Sequence, residues 1–232
     1  MNRSPSHPRA YLFDLDGTLV DTAPDIDAAL NVALKAGGYQ PVSETLTRHW
    51  VGFGSRRLLL QALAHQGAEQ ESQENIASLL EIFIDYYRHH IAANSAPYPG
   101  VIETLTQLQQ LGCSLAVVTN KLSALTLPLL DALKLSGFFA SIVCGDTCEH
   151  SKPAADPALH ACAELRVPVQ HSLFVGDSET DVLCARAAGC PVVCVREGYN
   201  HGTPAEELGA DGVIDNFPEL LQYLSEPAQP RS

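Results

Sequence analysis

Two carboxylates one residue apart, Asp14 and Asp16, end a short apolar run from Ala10 to Phe13 and precede the turn Gly17-Thr18. The run reads as a buried strand. In an extended chain, residues i and i+2 face the same side. The spacing therefore aims both carboxylates into one small volume. At about 4 Å and an effective dielectric near 20, two unit charges interact by roughly 4 kcal/mol, so a cation is expected between them. Mg²⁺, held by one or two carboxylates together with waters and phosphate oxygens, suits that place. Asp-Gly is also a plain turn signal, and an aspartate there can do no more than cap the turn.

Other groups of the same kind recur at strand ends. The run Ser172 to Val175 ends in Gly176-Asp177, with Asp181 one helical turn later. Asp177 supplies the further carboxylate that a metal on Asp14 and Asp16 needs, and Asp181 is placed to hold Asp177 or a metal-bound water. The competing reading is a helix cap. Thr119 ends the run Leu115 to Val118, where its hydroxyl and backbone N–H can both donate to a phosphate oxygen. Lys152 is one of four lysines and lies in a loop after a strand. It can screen both a nucleophile and an anionic substrate, where an ordinary loop lysine would be solvated. Asp14, Asp16 and Asp177 are balanced by Mg²⁺ and Lys152, so an anion is not repelled.

The elements that must position these groups follow a simple alternation. Residues 1–9 form a tail without an apolar core, which excludes a signal peptide. Thr22 with Asp25 resembles a capping box that opens a helix ending at Gly37-Gly38. From Ser43 to Ala93 the pattern is helical throughout. Pro97-Tyr98-Pro99-Gly100 then breaks the chain, and strands alternate with helices to the end. Alternation of this kind means an α/β fold with a doubly wound, Rossmann-like parallel sheet. The expected organisation is a core of residues 1–20 and 94–232 with an all-helical unit, residues 21–93, inserted after the first strand. Chemistry should gather at the carboxyl ends of the strands, where Asp146 also lies. The chain has 232 residues, 46% of them apolar, and a net charge of −13. That charge argues against nucleic acid and anionic membrane as partners, and no apolar run approaches a membrane span. Seven cysteines, odd in number and without zinc spacing, read as buried thiols in a reducing cytoplasm.

Asp14-x-Asp16, Thr119, Lys152 and Gly176-Asp177-x3-Asp181 occur in that order. Together they resemble the four motifs of the haloacid dehalogenase superfamily. Trp50-Val51-Gly52-Phe53-Gly54, Tyr98-Pro99-Gly100-Val101, Val118-Thr119-Asn120-Lys121 and Gly198-Tyr199-Asn200-His201-Gly202 look like its bacterial phosphoglycolate phosphatase branch. Glu149-His150-Ser151 departs from the more basic run expected before Lys152. The resemblance implies a Mg²⁺-dependent phosphatase of 2-phosphoglycolate that works as a monomer or homodimer. Asp14 would be the nucleophile and Asp16 the acid and base, with Thr119 and Lys152 stabilising the phosphoryl group. It also implies that residues 21–93 are a cap. Gly52 and Gly54 would offer N–H groups to a small carboxylate. Arg56, Arg57 and Asn120 would contact the substrate, with His49 and His201 as further candidates. Other readings are a phosphatase or mutase of another small ester or sugar phosphate, or a phospho-accepting receiver domain. The receiver would need neither the insert nor Asp16.

Overall fold

A computed structural model describes residues 8–224. The tail expected over residues 1–9 lies outside the described residues as far as residue 7. Arg9 departs from that expectation: its N–H bonds to His171 O, and its carbonyl accepts from Ser114 N.

The order of elements is β1 (Ala10–Phe13), β2 (Val20–Asp21), α1 (Ala23–Ala36), α2 (Glu44–Trp50), α3 (Ser55–His65), α4 (Gln73–His89) and β3 (Ala96–Pro97). Then come α5 (Val101–Gln110), β4 (Ser114–Val118), α6 (Ser123–Ala132), β5 (Ser141–Val143), α7 (Asp156–Leu165), β6 (Ser172–Gly176), α8 (Glu179–Ala188), β7 (Val192–Val195) and β8 (Gly212–Ile214). Six strands form one parallel sheet in the order β5-β4-β1-β6-β7-β8. β1 is central, with Phe13 opposite Val117 of β4 and Val175 of β6.

Sheets buried on both faces need apolar runs rather than alternation, and the strands supply them. Tyr11, Phe13, Val117 and Val175 pack on one face with α5 and the Phe217–Leu224 turn. Leu12, Ala116, Phe174 and Cys194 pack on the other with α7 and α8. All seven cysteines are free, and five are buried. No described helix is long and apolar enough to cross a membrane.

Helices α1 to α4 bury a cluster of their own, centred on Leu30, Leu34, Leu59, Leu63 and Phe83. The chain leaves for these helices through β2 and returns through β3, and the two strands pair antiparallel. This ribbon is too short to register as a hydrophobic pattern, and the sequence reading missed it. The capping box expected at Thr22 and Asp25 does not form. Thr22 makes no side-chain cap; its hydroxyl goes to Asp16. Asp25 instead accepts from Asn94 N, Asn94 Nδ2, Ser95 N and Ser95 Oγ, at 2.6 to 3.0 Å. It thus ties the departing segment to the returning one.

Replacing Asp25 with Ala strands buried donors at Ser95 and removes this tie. The expected cost is about 3 kcal/mol, or roughly 6–12 °C in Tm for a chain of this size. Thermal unfolding monitored by circular dichroism measures it, and a shift under about 2 °C would show the tie to be unimportant.

Candidate active site

β1, β4 and β6 end side by side, which brings Asp14, Thr119 and Asp177 together at one edge of the sheet. Lys152 reaches into the same place and is almost fully buried. Its ammonium donates to Asp14 Oδ1 and Asp181 Oδ1, both at 2.7 Å. The second oxygen of Asp181 accepts from Ser178 Oγ, Ser178 N and Asp177 N. Asp181 therefore starts α8 with one oxygen and anchors Lys152 with the other. Asp177 is held by the Thr18 hydroxyl at 2.9 Å and by Tyr199 N. Gly17, at φ +87°, and Gly198 lie so close to Asp177 that a Cβ on either would collide with its carboxylate.

The carboxylates of Asp14, Asp177 and Asp181 each offer an oxygen within 4.8 Å of the others, and all three residues are buried. The Asp14 carboxyl is pushed up to about 7, chiefly by burial and also by the Asp181 and Asp16 charges, against the pull of Lys152. Burial, Asp181 and Asp14 hold Asp177 well above the usual carboxylate range. Among the described residues, Asp14, Asp16, Asp177 and Asp181 face only Lys121 and Lys152 as cations, an excess of two negative charges when all four are ionised. A hard divalent cation fits that donor set and that charge. Asp14 and Asp177 are the residues that would hold it, since Asp181 is already saturated by its donors.

Asp16 departs from the expectation that it joins Asp14 on the metal. Its Oδ1 accepts from Lys121 Nζ at 2.8 Å and Thr22 Oγ1 at 2.6 Å, and it lies outside the carboxylate cluster. The i, i+2 argument requires an extended chain, and β1 ends at Phe13. Oδ2 of Asp16 has no hydrogen-bond partner among the described residues.

Thr119 is buried where expected, but its backbone N–H continues the sheet to Val143 O. Only its hydroxyl is left to donate; that oxygen also accepts from Lys121 N at 3.2 Å. Asn120 Nδ2 donates to Gly52 O at 3.1 Å and Lys152 O at 3.0 Å, joining the β4 loop to the α2–α3 turn. Asp146 is at a strand end as expected, yet it serves a helix: its carboxylate accepts from Ser123 N and Oγ at the start of α6.

Asp14, Asp16, Thr119, Asn120 and Lys121 line one cavity with Gly52, Gly54 and Ser55 from the α2–α3 turn and Tyr87 from α4. The cavity is small, about 40 Å³. Arg56 and Arg57 do not reach it. Leu58, Leu59, Ala62 and Leu63 take the buried stripe of α3, so the two arginines face outward. Arg56 donates to Gln73, and Arg57 lies 4.4 Å from the Phe53 ring centroid. His201 also stays outside the cavity. It stacks on Phe53 at 4.7 Å, and its Nδ1–H donates to His49 O at 2.8 Å. Burial holds the His201 ring below its ordinary pKa.

Lys121 and Tyr87 were missed as site residues. Burial would lower the Lys121 pKa, but the Asp16 charge and the Tyr87 hydroxyl outweigh it and raise it. Its place two residues after Thr119, in the loop that leaves β4, was the available signal. Tyr87 falls on the buried stripe of α4 with Ile76, Leu79 and Phe83, where its pattern is that of a core residue.

The family model for haloacid dehalogenase-like hydrolases matches residues 11–195. A phosphoglycolate phosphatase of Agrobacterium fabrum is 44% identical over 226 residues, 97% of this chain and 96% of that protein. One from Caulobacter vibrioides is 44% identical over 205 residues, 88% and 86% of the two chains. A crystal structure from Haemophilus somnus, of a predicted phosphoglycolate phosphatase, has a TM-score of 0.86 at 33% identity, covering 92% of this chain and 96% of that one.

The raised Asp14 pKa has a consequence for the metal-free protein. The folded state binds that proton more tightly than the unfolded chain, whose carboxyl titrates near about 3.9. The resulting stabilisation is full below that pH and is lost as pH rises through about 7. In chelator, Asp14→Asn should therefore gain on the wild type in Tm as pH goes from 5 to 8, and Mg²⁺ should close the gap at pH 8. Thermal melts of both proteins test this; a Tm difference independent of pH would contradict the charge excess.

Proposed function

The chain belongs to the haloacid dehalogenase-like hydrolases, and from that premise we propose that it hydrolyses 2-phosphoglycolate to glycolate and phosphate through an aspartyl-phosphate on Asp14. The observation that carries the substrate is the likeness to phosphoglycolate phosphatases over nearly the whole chain, inserted helices included. In this reading residues 1–20 and 94–232 are the catalytic core, and residues 21–93 are a cap.

Lys152 holds Asp14 Oδ1, which fixes the carboxylate and leaves Oδ2 to attack phosphorus. The P–O bond to the alcohol breaks as the Asp14–P bond forms. Asp16 Oδ2, the oxygen without a protein partner, is the atom to give a proton to the leaving oxygen and then take one from the attacking water. Water breaks the Asp14–P bond and restores the carboxylate. The Thr119 hydroxyl and the Lys152 ammonium meet the charge on the phosphoryl oxygens. Mg²⁺ on Asp14 and Asp177 supplies the remaining positive charge for the phosphate oxygens.

The inserted helices cover these residues from one side. Asn120 on Gly52 and Lys121 on Tyr87 both span from the core loops to the inserted helices, so closure and site assembly are one event. Asp14, Thr119 and Lys152 are buried, so their charges and dipoles act at lower dielectric than in water.

Phosphate release from a panel of small esters with Mg²⁺ tests the function. The expected result is a kcat/KM for 2-phosphoglycolate at least ten times that of any other ester. Asp14→Asn should lose at least ~10⁴-fold. Equal rates across the panel would refute the substrate, and activity surviving in the variant would refute the nucleophile.

A further inference from the structure

Lys121 has a part of its chemistry left over. An ammonium carries three N–H donors, and Lys121 spends one on Asp16 Oδ1 and one on the Tyr87 hydroxyl, both at 2.8 Å. The third has no partner among the described residues. The Tyr87 hydroxyl accepts from Lys121 and donates to nothing described, so its proton is also uncommitted. Both groups line the cavity next to Asp16. From the inserted helices the cavity also takes apolar Ile26, Leu58 and Phe83, together with Ser55 and the turn at Gly52 and Gly54, and no charged side chain among the described residues.

The substrate's geometry points to the same spot. In 2-phosphoglycolate the carboxylate and the ester oxygen are bonded to the same methylene carbon. When Asp16 protonates the ester oxygen, the carboxylate must lie immediately beside Asp16. An anion placed against apolar side chains is costly unless a cation and donors meet it. Lys121 is the cation in contact with Asp16, while Arg56 and Arg57 lie outside the cavity.

We propose that Lys121 and Tyr87 bind the carboxylate of the leaving group, the lysine from the core and the tyrosine from the cap. The inference rests on the 2-phosphoglycolate reading. It makes selectivity a property of the closed protein, because the pair exists only while α4 sits over the β4 loop. It also assigns one residue two tasks: Lys121 orients the acid and reads the acid group attached to the alcohol.

Ethyl phosphate tests the assignment, since it keeps the primary alkyl ester and lacks the carboxylate. The quantity to measure is the ratio of kcat/KM for 2-phosphoglycolate over ethyl phosphate in wild type, Lys121→Met and Tyr87→Phe. Loss of a donor to a charged group should cut this ratio about 10-fold to 100-fold in each variant. A lysine that only orients Asp16 would slow both esters alike and leave the ratio in place, which would overturn the inference. Lys121→Met leaves Asp16 without its cation; should that variant fail to fold, Tyr87→Phe decides by the same ratio. A wild-type ratio near one would instead refute the substrate reading itself, before either variant is considered.

Discussion

The end of β1 buries more negative charge than the protein can neutralise. Asp14, Asp177 and Asp181 crowd around one ammonium, that of Lys152. Nearly every local feature follows from making that crowd tolerable. Asp181 is tied down by the first turn of α8. Asp177 is approached by two glycines and fixed by Thr18 and Tyr199. Asp14 is left with one oxygen uncommitted. Lys152 offsets part of the burial that favours a proton on Asp14, and a cation on the same carboxylates would offset more. A divalent cation restores the balance, and protonation of one carboxyl restores half of it.

The same groups connect chemistry to the inserted helices. Tyr199 gives its N–H to Asp177, and its hydroxyl donates to Asp21 while accepting from Thr22 N and Ala23 N at the start of α1. Thr22, beside it, holds Asp16. One short segment between β2 and α1 thus touches both the metal side and the acid side of the site. The antiparallel ribbon and Asp25 keep that segment beside the returning chain. In the proposed reading, the side chains that join the inserted helices to the sheet also hold the acid and the metal-binding carboxylate, which would couple closure to a correctly built site.

Much of this was legible in the sequence because it rests on periodicity and on motif spacing. Continuous apolar runs gave every strand of the main sheet, and the helical stretch from Ser43 to Ala93 was readable from its 3.6-residue stripe. Asp14, Lys152, Asp177 and Asp181 come together as their strand-end positions suggested. The misreadings share one cause: a side chain was assigned to its nearest local partner. Thr22 looked like a helix cap and bonds to Asp16 six residues back. Asp25 looked like the other half of that cap and bonds to Ser95, 70 residues on. Asp146 looked like a site residue and caps α6. Arg56 and Arg57 follow a glycine turn that reaches the site, but the helix beyond it turns them outward. Lys121 was quoted only as part of a string, since nothing local reveals that Asp16 would sit within reach.

The account stands on Asp14 as the atom that carries phosphorus. The most direct measurement is to quench a steady-state reaction on 2-phosphoglycolate and reduce the protein with borohydride, then map it by mass spectrometry. An acyl phosphate on Asp14 would be reduced, so homoserine at position 14, absent without substrate, is the predicted result. Unmodified Asp14 in an actively turning-over sample, or modification at another carboxylate, would contradict the mechanism.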